Sequence, residues 1–154
     1  MAAVLERLIY ASRWAPGLAE DTDESVRAIL GVSIHNNRIA DLTGLLVVHD
    51  GWFVQALEGG SRPIAATMER IVRDQRHVDV KLLGSNMDTA RAFRDWNMAA
   101  AHPGAEAIPL LTELGMVAHF DGHGLDGEQA LKLLIAVGDA ERQRERRALG
   151  LGAA

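Results

Sequence analysis

The chain has 154 residues, nearly half of them apolar, a mean hydropathy of +0.00 and a formal charge of -5. That suffices for one ordinary domain and a short extension, and no apolar run approaches the roughly 18–20 residues that span a bilayer. The acidic balance disfavours a nucleic-acid partner. The absence of cysteine removes disulfides, thiolate metal sites and cysteine nucleophiles, together with any cysteine adduct to a cofactor.

The first residues, Met1 to Arg7, lack the basic segment and long apolar stretch of a secretory signal. A soluble cytoplasmic protein without membrane association is expected. Residues 4–12 read as a strand with Leu8, Tyr10 and Ser12 on one side and Arg7, Ile9 and Ala11 on the other. After a loop from Pro16 to Asp23, Thr22 or Asp23 can cap a helix. Val26, Ile29, Leu30, Ser33 and Ile34 give that helix an amphipathic stripe, and continuing it by three places turns Asn37 inward.

Residues 43–58 read as a hairpin, with Asp50-Gly51 between two apolar runs as its turn signal. On the second arm Phe53, Gln55 and Leu57 share a face. A second helix follows, with Ser61 as cap, Pro63 in the first turn and a stripe of Ile64, Thr67, Met68, Ile71 and Val72. Residues 77–83 read as a further strand, and residues 94–101 as a last one carrying Trp96 and Met98. The order β-α-β-β-α-β-β predicts an α+β, ferredoxin-like sheet with two helices on one face.

Beyond Pro103, residues 108–117 read as a short helix, Asp121 to Gly127 as a glycine-rich turn, and residues 128–147 as an amphipathic helix. The expected division is a domain over 1–102 and a helical extension over 103–154. The extension folds onto the free face of the sheet through Leu131, Leu134 and Val137. Its basic cluster, Arg142-Gln143-Arg144-Glu145-Arg146-Arg147, reads as a solvated helix end.

Taken singly, the polar residues have plain explanations. A lone Tyr10 on a strand is usually core with its hydroxyl paired, and Asn37 can close a helix. Gln55 among bulky apolar neighbours is harder to dismiss, because glutamine is rarely buried unless bonded. Asp121, His123 and Asp126 are interleaved with glycine and read as a turn rather than a metal site. No nucleophile–base pair or phosphate loop points to hydrolysis.

The joint pattern is more specific. Ile9-Tyr10-Ala11-Ser12, Asn36-Asn37-Arg38 with Leu42-Thr43-Gly44-Leu45-Leu46, and Gly51 through Gly59 follow one another in order. Ile71-Val72-Arg73-Asp74-Gln75-Arg76-His77 and Phe93-Arg94-Asp95-Trp96-Asn97-Met98 complete the set. Over about Leu5 to Ala101 the chain resembles the BLUF domain family of blue-light sensors using flavin, in its short stand-alone form.

The resemblance implies a non-covalently bound flavin: FAD, with FMN or riboflavin as alternatives. It implies Tyr10, Gln55, Trp96 and Met98 as the photochemical group, with no catalytic residue and no metal. Ser33, Asn36, Asn37, Asp74, Arg76 and His77, with Tyr10 and Gln55, become the cofactor-binding residues. It further implies a photoreceptor, not an enzyme, that signals through a light-driven hydrogen-bond rearrangement to an unidentified separate protein, and that self-associates as a dimer or larger homo-oligomer. The residues left after Pro103 are too few for a cyclase, a phosphodiesterase or a DNA-binding output. A small flavin-dependent redox enzyme and a flavin-free dimerisation module on the same fold are the competing expectations.

Overall fold

The structure, a computed structural model, describes residues 4–15 and 22–150, with side chains on the first helix from Val26 onward. Residues 16–21 of the expected loop lie outside that description, and Thr22 and Asp23 are the first residues of the first helix rather than its cap. Five strands form one sheet: β1 (Leu5–Trp14), β2 (Thr43–His49), β3 (Trp52–Gly59), β4 (His77–Asp88) and β5 (Ala100–Ala101), in the order β4-β1-β3-β2-β5. All neighbours run antiparallel except β2 and β5. With α1 (Thr22–Ala40) and α2 (Ser61–Arg73), this is the ferredoxin-like arrangement expected from the sequence.

Both faces of the sheet are covered, and strand alternation sorts the core into two layers. Leu8, Tyr10, Leu46, Phe53 and Leu57 pack with Val26 and Ile29 of α1 and Ile64 of α2. Ile9, Ala11, Leu45, Val47, Val54 and Ala56 face α3 (Ile108–Glu113), α4 (Gly127–Ala148), Phe93 and Phe120. On α4, Leu134 and Val137 are buried and Leu131 is partly so. Ala130 and Leu133 widen the contact beyond the stripe read from the sequence. A capping box between Asp126 and Gln129 starts this helix, and Gly127 abuts Gly84 and the Leu83 carbonyl of β4, where added side chains would crowd.

The β2–β3 hairpin turns at Asp50 and Gly51, both with positive φ (51° and 79°), the two-residue geometry that the Asp-Gly pair favours. Several expectations need correction. Ser61 is the first residue of α2, not its cap. Gly60 holds the cap position without a side-chain bond. Val72 is exposed, because it lies one position past the stripe of Ile64, Thr67 and Ile71. The strand expected over 94–101 shrinks to Ala100–Ala101, so Trp96 and Met98 sit in a turning segment. Its main chain touches β2 only intermittently, through Gly44 N–H to the Trp96 carbonyl and Leu46 N–H to that of Ala99. Just before this segment the Glu58 carboxylate accepts from the amides of Ala92 and Phe93.

The helix expected over 108–117 ends at Glu113, where Gly115 adopts φ 69° and its amide closes on Thr112. Among the described residues, no helix is long and apolar enough to cross a membrane.

Candidate functional site

Between α1, α2 and the sheet lies a cavity open on one side. Its apolar walls come from Ile29 of α1, Leu46 and Leu57 of the sheet and Ile71 of α2. Its polar lining gathers Ser33, Asn36 and Asn37 from one helix with Gln55 from β3. Asp74, Arg76 and His77 close it where α2 gives way to β4. Residues far apart in sequence thus converge because two helices cross the same sheet face.

Tyr10 stands behind this lining. It lies directly opposite Gln55 in the β1–β3 register, on the same sheet face. Both are buried, and the phenol donates a hydrogen bond to Gln55 Oε1. The Gln55 amide then donates through Nε2 to the sulfur of Met98, 3.2 Å away. Each end of the amide therefore has a fixed partner, and a second Nε2 hydrogen remains. Burial raises the Tyr10 pKa well above that of a free phenol, with the negative charge of Asp74 adding to the effect. The hydroxyl keeps its proton at any ordinary pH.

Asn37 ends the inward stripe of α1. Its Nδ2 donates to the Asn97 main-chain oxygen at 2.8 Å, and Asn97 Nδ2 donates back to the Leu42 carbonyl at 3.0 Å. The helix end and the segment before Met98 are thereby tied together. Gly44 makes the close approach of Met98 feasible: a Cβ there would lie 2.9 Å from the Met98 methyl and 2.1 Å from the Ala56 carbonyl oxygen.

At the cavity mouth the Arg76 guanidinium grips the Asp74 carboxylate bidentately, with contacts from 2.6 to 3.1 Å, and the Arg76 amide adds a further bond. These bonds hold the Asp74 pKa low and raise that of Arg76. His77 is buried beside Phe53, and its Nδ1 meets Ser12 Oγ at 2.9 Å. Burial lowers its pKa to about 4 despite the opposing charge of Asp74, so the ring is neutral near pH 7.

Seven of the residues singled out from sequence line the cavity, and Tyr10 and Met98 bond to one of them. Trp96 does not join them. Its ring packs with the opposite core layer, its Nε1 donates to Glu145 at 2.9 Å, and the Arg142 guanidinium lies 4.9 Å over it. Arg70 was missed: it lines the cavity and donates to Thr67 Oγ1 at 3.2 Å. Its place three residues after Thr67 on the same helix face was the available signal.

Residues 5–99 match the BLUF family, described as sensors of blue-light using FAD. The chain belongs to the BLUF family. It is therefore one of a family of blue-light flavin sensors. No curated protein matches it. Among solved structures, BlsA in its photo-activated state is 25% identical over 87% of this chain and 94% of BlsA, with a TM-score of 0.79. BlrB in its dark state, a BLUF protein, is 25% identical over 91% of this chain and 99% of BlrB, at 0.70. A bacterial light-regulated adenylyl cyclase is 29% identical over 73% of this chain but only 34% of the cyclase, at 0.65.

The BLUF cavity suits a flavin on chemical grounds. Apolar walls fit a flat tricyclic ring, and the amides of Asn37 and Gln55 offer donors and acceptors to its carbonyl and nitrogen edge.

Proposed function

We propose that this protein is a non-enzymatic blue-light switch that holds FAD non-covalently and reports illumination to a separate protein. Its photochemical group is Tyr10, Gln55, Trp96 and Met98, with Trp96 acting from the opposite core layer through the segment it shares with Met98. Ser33, Asn36, Asn37, Asp74, Arg76 and His77 hold the cofactor together with Tyr10 and Gln55. Residues 1–102 form the sensing unit, and 103–154 an extension lying on the opposite sheet face. The reading also includes a cytoplasmic protein that self-associates. The observation that carries it is the buried chain of bonds from the Tyr10 hydroxyl through the Gln55 amide to Met98, set against a cavity of flavin-compatible lining.

When bound, the flavin supplies blue-light absorption and the one-electron oxidising power of its excited state. The protein's own residues supply the rest. Loss of an electron makes the Tyr10 phenol strongly acidic, and its proton moves along the existing bond to Gln55 Oε1. A protonated amide can shed a proton from its nitrogen side or turn about its last bond, since its two ends are a donor and an acceptor of similar shape. Return of the electron and proton to Tyr10 leaves the phenol restored and the amide reoriented. If rotated, Gln55 would place its oxygen against the Met98 sulfur, two acceptors with no hydrogen between them. That contact is lost, and Met98 with the preceding segment must shift. In a low-dielectric interior such a network has two discrete satisfied states, not a continuum.

The test is spectroscopic. Purified protein should be yellow, should shift its absorption reversibly to the red by a small amount under blue light, and should recover in darkness. Tyr10→Phe and Gln55→Leu should each retain flavin and lose the shift. A normal shift in either variant removes the mechanism, and colourless protein that refuses added flavin removes the whole reading.

A further inference from the structure

On the side of the sheet that carries α4, residues 91–95 and the last turns of that helix enclose a shallow groove. Arg91, Arg94, Arg142 and Arg146 line it against Asp95 and Glu145, a local positive excess in a chain of formal charge -5. These cations are not equally available. Arg142 is committed to Asp95, to Asp139 at 2.7 Å and to the Ala92 carbonyl at 2.6 Å. Arg91 donates to Thr43 Oγ1, the Glu58 carbonyl and Asp41 at 3.0 to 3.4 Å. Arg94 and Arg146 are exposed, and neither makes a side-chain hydrogen bond or ion pair among the described residues. Leu149 beside them is 73% exposed.

We propose that this groove docks an acidic, amphipathic segment of a partner protein, with carboxylates on Arg94 and Arg146 and an apolar side chain on Leu149. Two free guanidiniums beside an exposed leucine match a surface that carries separated negative charges and an apolar residue. A polyphosphate or nucleic-acid backbone fits less well. Its dense charge would meet Asp95 and Glu145 in the same wall and would gain nothing from Leu149. The groove also has a physical link to the cavity: the segment forming its wall continues through Trp96, bonded to Glu145, to Met98 beside Gln55. A partner seated there would press on the stretch of chain that carries Met98, to which the photochemical amide donates.

The experiment is fluorescence anisotropy of a short labelled peptide, Glu on one helical face and Leu on the other, with the flavin-loaded full chain in darkness. Saturable binding is expected, weakened about tenfold by Arg94→Glu combined with Arg146→Glu and several-fold by Leu149→Ser. It should also weaken when salt rises from about 0.05 to about 0.5 M. All three side chains are exposed, so circular dichroism should show the variants folded. No peptide binding, or equal binding by the charge-reversed variant, overturns the proposal. So does displacement of the peptide by tripolyphosphate at equal charge concentration, which would identify a small-anion site. If charge reversal instead splits a homo-oligomer, as read by light scattering, the occupant is a second copy and the proposal fails. Because the measurement is made in darkness, loss of the red shift and loss of peptide binding are separate results.

Discussion

Glu58 is fully buried, and alternation along β3 with Val54 and Ala56 places it on the sheet face opposite the cavity. In register it lies between Arg7 of β1 and Thr43 of β2. It accepts from Arg7 Nε at 2.8 Å, Thr43 Oγ1 at 3.2 Å and the amides of Ala92 and Phe93 at 2.7 and 2.8 Å. Glu58→Ala would leave Arg7, itself buried, with only Asp88 at 3.2 Å and the Ala90 carbonyl at 3.1 Å. Breaking a buried ion pair by removing one partner costs about 3–5 kcal/mol, mostly because the remaining charge is stranded. The orphaned amides add to this, each at about 1–3 kcal/mol if water cannot reach it. Against a total stability of about 5–15 kcal/mol for a domain, the variant should be marginal.

Urea unfolding followed by circular dichroism, at a fixed excess of flavin, measures the loss. Arg7→Met with Glu58→Leu should cost less than Glu58→Ala alone, since no charge is then left unpaired. The same carboxylate fixes the main chain five residues before Met98, so Glu58→Gln should keep flavin but change the dark-recovery rate several-fold. A destabilisation by Glu58→Ala below about 1 kcal/mol would refute the reasoning, because it would mean water or Asp88 replaces the carboxylate without penalty.

Asn37→Ala removes the bond to the Asn97 carbonyl and one of the three side-chain amides lining the cavity, and should weaken flavin binding about tenfold, roughly 1.4 kcal/mol. Titration by flavin fluorescence checks this, and unchanged affinity would show the ring's polar edge is held elsewhere. His77 gives a pH dependence: its pKa falls from 6.5 to about 4 on folding, so the unfolded chain binds more protons in that window. Stability should therefore drop as pH falls from about 6.5 to about 4, by no more than about 2–3 kcal/mol. His77→Gln should flatten that part of the profile. The low pKa values of Asp74 and Asp88 act below about pH 4 and do not overlap it.

Much of this was legible from side-chain periodicity alone. Tyr10 and Gln55 were assigned to inward faces by counting along single strands, and pairing in the sheet then placed them opposite each other. Asn37 followed from extending a helical stripe by one step. What the sequence hid were features set by partners far along the chain. Residues 94–101 alternate as a strand would, yet only Ala100 and Ala101 pair with β2, and the chain just before them is held at Ala92 and Phe93 by the Glu58 carboxylate. Nothing near Glu58 in sequence announces that. Arg70 looked like any exposed helix residue until α2 was set across the sheet.

The lost strand changes how Trp96 and Met98 are to be understood. Two residues apart on a strand, they would share a face and compete for the space beside Gln55. In a turning segment they point to opposite sides: Met98 into the cavity layer, Trp96 into the layer under α4. Exchanging them would break the Trp96 bond to Glu145 and its contact with Arg142, partly exposed interactions of about 1 kcal/mol and about 0.5–1 kcal/mol. It would also force an indole into the space where Met98 already crowds Gly44. A penalty of about 2 kcal/mol or more holds the Met98-inward arrangement in the dark at a ratio of roughly thirty to one or better. An amide that turned its oxygen toward the Met98 sulfur would remove the hydrogen bond that Met98 itself contributes to that arrangement. Under the proposed mechanism, light would act on a balance of a few kcal/mol that the contacts of α4 with Trp96 help to set.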